Sequence, residues 1–438
     1  MYTSVHELQR ALAGVLRQDG NAIQVTDEFT LRGTIIDRLV FTAVFTADPA
    51  VKTQARSAIR QLAAGLGIRS SSLRQYYLAI GRGEVPATST VPAINLRTLT
   101  YDIARVLFNL KRAQHIGPLI VELARSEMGY TNQQYDEFAI AVLAAAIKEG
   151  YHGPVFLQAD HVQVDAPRYQ EDPTSELQEM ERLIKEALDA DFGQIDIDAS
   201  TLVDLSKTTF DAQQVENSRV TAALTQYIRS LDTQESISIG GEIGHIGGKN
   251  STPEELVAFL EGYGNILGKS IPGLSKISVQ TGTSHGGVLL PDGSIAAVQL
   301  DFSALKNTGQ IARDKYHLGG VVQHGASTLP MDVFDQFPKH HTLEIHLAAG
   351  FQNRIYDLME ASLRESMYQW VEQHCQDEWQ AGWTKEQFIY KTRKKAFGPF
   401  KQQLWELPEQ EKQPLLKQLE QQFRLLFEKL NVLNTQDE

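Results

Sequence analysis

Eight short apolar runs, each separated from the next by a longer segment, recur between residues 91 and 349 and constrain this chain more than any other feature. They are VPAINL (91–96), IGPLIVELA (116–124), GPVFLQAD (153–160), FGQIDIDA (192–199), ISIGGEIG (237–244), SKISVQTG (275–282), LGGVVQHG (318–325) and TLEIHLAA (342–349). Continuous apolar strands flanked by helices imply a parallel sheet buried on both faces. Segments such as QYDEFAIAVLAAAIKEG (134–150) and SELQEMERLIKEALDADF (175–192) carry the helical period expected between such strands. Eight strands favour a closed (β/α)8 TIM barrel, an α/β fold, over an open doubly wound sheet.

The barrel pattern occupies residues 71–362, with a helical extension over 1–70 before it and another over 363–438 after it. Residues 1–90 read as mainly helical; LVFTAVFT (39–46) has an ambiguous period, and SAIRQLAAGLGI (57–68) carries the glycines expected where a helix stops. The polar stretch PATSTVP (86–92) reads as a linker. Near the C-terminus, Leu419, Phe423, Leu426 and Leu430 form one apolar stripe that packs on the barrel's outside or on a partner subunit. The basic run KTRKKAF (391–397) reads as a solvated helix face, or as an arm reaching a neighbour's active site to bind substrate phosphate. Both flanks exceed what a barrel needs, which predicts a lid or a homo-oligomer interface, in a dimer or tetramer.

Charge and composition exclude several classes. A net charge of −13 argues against nucleic acid, whose phosphates call for a basic face. No stretch reaches the ~18 apolar residues of a membrane span, and the first residues lack the pattern of a secretory signal. The single cysteine, Cys375, excludes an internal disulfide and a thiolate metal cage, and reads as a buried or idle thiol. The expected location is the cytoplasm.

Polar residues gather at the C-terminal ends of the runs, where barrel enzymes place their active sites. Asp160 and His161 close the third run, Asp196, Asp198 and Ser200 the fourth, and His346 the eighth. Glu242 lies in the Gly-rich GGEIGHIGG (240–248), His285 follows the sixth run, and His324 follows VVQ of the seventh. Three histidines at strand ends, His161, His285 and His324, can converge on one divalent metal and leave a position open for substrate. With nitrogen and carboxylate ligands zinc is the first choice, and Co2+, Mn2+ or Fe2+ are alternatives. The small residues of SHGG (284–287) and QHGAST (323–328) leave backbone N–H groups free to cradle a phosphate or carboxylate.

The ordered set PAINL (92–96), LQADH (157–161), IDIDAS (195–200), GGEIGHIGG (240–248), TGTSHG (281–286), VQHGAS (322–327) and EIHLAAGF (344–351) resembles the class II, metal-dependent fructose/tagatose-bisphosphate aldolases. The resemblance runs in order from near Ser72 to near Asp357. It implies a zinc-dependent aldehyde-lyase of carbohydrate metabolism and glycolysis, cleaving a ketose (bis)phosphate into dihydroxyacetone phosphate or a related ketone plus an aldehyde. By the resemblance His161, His285 and His324 hold zinc, Asp160 is the catalytic proton carrier, and Asp198 and Glu242 serve a second or alternative metal position. It further assigns Asn95, Ser126, Gly286, Gly325, Ala326, Ser327, His346, Ala348 and Ala349 to substrate and phosphate binding, and makes a monovalent cation a further candidate.

The departures are specific. Lys249 and Asn250 stand where family members carry a loop acid, with His245, Glu254 or Glu255 as stand-ins; Glu254 and Glu255 read first as the opening turn of a helix, and His245 as an exposed loop residue. His346 replaces an asparagine, Ala349 a threonine, Ala326 a glycine and Glu344 a lysine. His340 and His341 read as surface residues. The main alternatives are the same metal centre used for epimerisation or isomerisation, and a catalytically degenerate metal-binding barrel with a structural or regulatory role.

Overall fold

The computed structural model describes residues 1–19, 22–244, 249–282 and 300–435. Eight parallel strands close into a barrel: β1 (Val91–Asn95), β2 (Ile120–Ala124), β3 (Pro154–Gln163), β4 (Gln194–Asp198), β5 (Ser238–Glu242), β6 (Lys276–Val279), β7 (Val321–Gln323) and β8 (Glu344–Leu347). Each pairs with its sequence neighbours, β8 returns to β1, and the ring is complete. Every expected apolar run coincides with one of these strands, β3 continuing past its run to Gln163, and the TIM-barrel reading holds.

The N-terminal stretch departs from the mainly helical expectation in two places. Leu16–Asp19 and Ala22–Val25 pair as an antiparallel hairpin, and Arg69–Ser71 adds a short ninth strand beside the start of β3. Strands of three or four residues are too short to show alternation in a sequence. The ambiguous run at 39–46 falls largely in the helix Ile36–Phe45. That helix and Pro49–Gly65 lie against Tyr135–Glu149, the helix between β2 and β3. The arrangement answers a demand of the sequence, because Tyr135–Glu149 is apolar nearly all round and such a helix must be covered on both sides.

The C-terminal helix Glu409–Lys429 packs on the helices after β1 and β8 of its own chain. Leu419, Phe423 and Leu426 lie inside that contact and Leu430, just past the helix, is buried with them; Phe423 sits 4.6 Å from the Phe351 ring. Cys375 is buried. No helix of the described residues is long and apolar enough to cross a membrane.

Helix α1 (Arg74–Gly81) plugs the N-terminal end of the barrel with Leu73, Tyr77 and Ile80 against Val91, Ala93, Ile120, Phe156 and Leu343. Gly81 is required here, since a Cβ would collide with the His317 and Leu318 carbonyls. Above this apolar floor the interior is charged. Lys276, fully buried, donates from Nζ to Gln158 Oε1 at 2.6 Å, Glu344 Oε1 at 2.5 Å and Asp196 Oδ2 at 3.0 Å. Tyr77 donates its hydroxyl to Glu344 from below. Burial opposes the Lys276 charge, yet Asp196 and Glu344 outweigh it and raise its pKa; Lys276 in turn holds Glu344 down at about 2. Glu344 and Lys276 thus form a buried ion pair with its hydrogen bonds satisfied, the condition under which such a pair is tolerated. Removing one partner alone strands a charge. Lys276→Met is expected to cost about 3–5 kcal/mol, and adding Glu344→Gln to recover part of that loss. Urea unfolding of both variants checks this, and an unchanged midpoint for Lys276→Met would refute it.

Candidate metal centre

A strand turns adjacent side chains to opposite faces, so Asp160 and His161 should not share one side of β3. They do, because β3 carries a bulge. Ala159 pairs with Ile195 and Val162 with Ile197, which sets two residues of β3 against Asp196 alone. His161 takes φ 40°, a left-handed conformation that non-glycine residues adopt only where the surroundings enforce it. Asp160 therefore points into the barrel and His161 toward its mouth.

His161 Nδ1 lies 3.0 Å from Asp198 Oδ2 and 3.4 Å from Glu242 Oε2. Asp198 is itself fixed by Gln163 at 2.5 Å and by the Ser200 N–H at 3.0 Å and hydroxyl at 2.6 Å. The His324 ring lies 4.2 Å from the His161 ring, tilted by 47°, with its Nε2 2.9 Å from Ser278 Oγ. One donor atom each from His161, Glu242 and His324 lies within 4.8 Å of the others, a nitrogen and oxygen set suited to a borderline divalent cation. Burial pushes Glu242 well above the usual carboxylate range, aided by Asp198 beside it. For His161 burial works against the charge, and Asp160 and Glu242 overcome it, raising its pKa well above the ordinary value.

Deeper in, His346 Nδ1 is 3.0 Å from Asp160 Oδ1 and 3.2 Å from Glu122 Oε2, and its Nε2 is 2.6 Å from Glu344 Oε1. Its ring lies 4.1 Å from the His324 ring, tilted by 47°. Burial favours a neutral Asp160, but His161 and His346 outweigh it and hold Asp160 well below the usual range as a carboxylate. Glu122 goes the other way, raised well above by burial and by Asp160. The structure thus brings Asp160, His161, Asp198, Glu242, His324 and His346 together, with Asp196 one layer below. Two further donor groupings use His346: one with Asp160 and His324, the other with Asp196 and Glu344.

Asn95, at the end of β1, donates to Glu127 Oε2 at 2.6 Å, and Ser126 lines a cleft of about 1010 Å3 that also contains His161 and Glu242. Gly325 has φ 69°, Ala326 is buried, and Ser327 Oγ accepts from the Gly350 N–H at 3.1 Å. Ala348 and Ala349 lie at the end of β8. His285, Gly286 and His245 lie outside the described residues. At the expected loop acid, Lys249 reaches Glu255 at 2.8 Å, and Glu255 forms a capping box with Thr252 at the start of Pro253–Leu267. Glu254 sits in the same first turn, so both act as helix-start residues. His341 is exposed and His340 half-buried.

Sequence reading missed Glu122, Gln158 and Lys276. Their signal was a polar residue at an alternate position of an otherwise apolar run, in IVELA, VFLQAD and SKISV. It also missed that the basic run is not a solvated face. Arg393–Phe397 is a half-buried 3-10 turn packed in its own chain on α2 (Arg125–Thr131).

Comparison with known proteins agrees with the barrel fold. The structure of fructuronate-tagaturonate epimerase UxaE from Cohnella laeviribosi is 12% identical, spans 96% of this chain and 87% of its own, and superposes with a TM-score of 0.55. A probable tagatose 6 phosphate kinase from Sinorhizobium meliloti 1021 is 14% identical, spans 78% and 97%, and gives 0.54. Fructose-bisphosphate aldolase from Campylobacter jejuni is 20% identical, spans 84% and 97%, and gives 0.49. At these identities the first two likenesses are of fold alone, and the third carries no argument. No curated protein matches the chain in sequence. The family model for fructose-bisphosphate aldolase class-II matches residues 87–422, most of the chain, and the protein therefore belongs to the class II fructose-bisphosphate aldolase family.

Proposed function

We propose that this family member is a divalent-metal aldehyde-lyase that reversibly cleaves the C–C bond of a ketose (bis)phosphate, giving dihydroxyacetone phosphate or a related ketone plus an aldehyde. The observation that carries the reading is the convergence of His161, Glu242 and His324 beside an Asp160 kept as a carboxylate. In this reading His161, His324 and His285 hold zinc, or Co2+, Mn2+ or Fe2+, with Glu242 and Asp198 as the second or alternative position. The ion supplies Lewis acidity that polarises a ketone and its neighbouring hydroxyl. Asp160 takes the hydroxyl proton in cleavage and returns it in synthesis, oriented by His346. Asn95 and Ser126 meet the aldehyde half at the ends of β1 and β2. Gly286, Gly325, Ala326 and Ser327, with Ala348 and Ala349, cradle the phosphate of the ketone half.

A second reading, epimerisation beside the same ketone, draws on one observation: Lys249, held by Glu255, stands where an aldolase of this family carries its loop acid. The epimerase likeness spanning 96% of the chain agrees with it. A panel of ketose mono- and bisphosphates separates the two: released aldehyde marks the lyase, and an inverted carbon with no released aldehyde marks the epimerase. His324→Ala is expected to lose bound metal by mass spectrometry, and stoichiometric metal in that variant would sink the ligand assignment. Asp160→Asn is expected to keep the metal while turnover falls about 10²–10⁴-fold; an unchanged rate would remove Asp160 from the reaction.

A further inference from the structure

Strand β3 runs on past its bulge, and its last residue, Gln163, pairs directly with Asp198 at the end of β4. The two strand ends are fastened along the backbone. The Val164 N–H donates to the Asp198 carbonyl at 2.9 Å, and the Thr201 hydroxyl donates to the Val164 carbonyl at 2.8 Å. On the other side Arg125 donates to the Gln163 carbonyl, while Glu176 accepts from Arg125 at 2.7 Å and from the Asp165 N–H at 2.9 Å. The main chain at Gln163 is therefore fixed by β4 on one side and by Arg125, which follows β2, on the other. From that fixed base its side chain reaches Asp198 and lines the same cleft as His161.

Asp198 is buried, and each of its carboxylate oxygens is engaged by two groups. Oδ1 accepts from the Ser200 N–H at 3.0 Å and from the Ser200 hydroxyl at 2.6 Å. Oδ2 accepts from Gln163 Nε2 at 2.5 Å and lies 3.0 Å from His161 Nδ1. Donors at every acceptor site favour the ionised carboxylate, which only accepts. The hydrogen of the contact with His161 therefore sits on Nδ1, and Nε2 is the nitrogen that can offer an ion its lone pair. Without the Gln163 amide the carboxylate is anchored through Oδ1 alone and can swing Oδ2 away from the ring. His161, strained at φ 40°, then loses part of what holds it in place.

We propose that Gln163 is a positioning residue of the metal centre, holding Asp198 on His161 Nδ1 so that Nε2 is aimed at the ion. His161 as a ligand rests on the metal-centre reading; the hydrogen-bonded chain from Gln163 through Asp198 to His161 does not. A metal-bound histidine characteristically gives its other N–H to a carboxylate, which fixes both the tautomer and the ring. Here that carboxylate is itself fixed from the strand that carries the histidine, two residues beyond it. Asp198 thus serves the ion through His161 and not as a ligand, since both its oxygens are already engaged. The bulge brings His161 to the mouth, and Gln163 keeps its ring in one orientation there.

The test uses the full-length protein with isotope-labelled histidine, loaded with zinc. Ring-nitrogen NMR shifts report which nitrogen of His161 binds the ion, and competition with a chromophoric chelator reports affinity. The wild type is expected to bind zinc through Nε2 and to show a slowly exchanging Nδ1 hydrogen. Gln163→Met, which keeps the length and removes the amide, is expected to speed that exchange and to weaken zinc by about 10- to 100-fold. Gln163→Glu, which keeps the shape and replaces the donor by an acceptor, is expected to act in the same direction. Ser200→Ala removes a hydrogen bond from the other oxygen and is expected to leave the exchange near that of the wild type, which separates positioning from general loosening. Zinc bound through Nδ1 in the wild type overturns the proposal whatever the variants do, and so does wild-type affinity in the Gln163 variants. Either result leaves the metal centre standing, whereas a wild type that binds no zinc removes the metal-centre reading and the role of Gln163 together.

Discussion

The bulge at His161 is the constraint on which the site depends. In a regular strand Asp160 and His161 would face opposite ways, one into the barrel and the other into the surrounding helices. One extra residue against Asp196, with His161 at φ 40°, sends both toward the chemistry. A left-handed histidine costs on the order of 1–3 kcal/mol and persists only where its surroundings over-determine it. Here Asp198 and Glu242 hold the ring by its Nδ1, and Asp198 is itself locked by Gln163 and Ser200.

Below the bulge, the interior resolves a charge problem of its own making. Glu122, Asp160, Asp196 and Glu344 crowd one layer of a closed barrel, where four bare carboxylates could not coexist. Lys276 and His346 provide the compensating cations, and Glu122 is driven toward its neutral form. Glu344 stands on β8 and Lys276 on β6, and both side chains point inward, so opposite charges from different strands meet in one layer. This continuous hydrogen-bonded column, from Tyr77 at the floor to Asp160, holds Asp160 in one orientation.

The flanks do structural work that the barrel alone leaves undone. The N-terminal helices cover an otherwise apolar Tyr135–Glu149, and the C-terminal helix buries its stripe on the helices around β1. Between them the turn at Arg393–Phe397 packs on α2 and is tied to Asn353 and Tyr356 of Ala349–Leu358. Those residues read in sequence as a solvated face because charged runs usually are one. Only their packing against α2 and Ala349–Leu358 reverses that.

By itself the sequence determined the eight strands, their parallel order and the strand ends that carry chemistry, because buried strands and amphipathic helices leave local periodic signatures. It also marked Asp160, His161, Glu242 and His324, since a polar side chain that closes an apolar run is costly to bury unless a site makes use of it. The tertiary structure decided what periodicity cannot encode. It set the bulge that turns His161 inward, the cross-barrel pairing of Lys276 with Glu344, and the return of the C-terminal extension over β1. Each is a contact between residues distant in the chain, or a local break in the repeat, and neither leaves a pattern in a single strand's sequence.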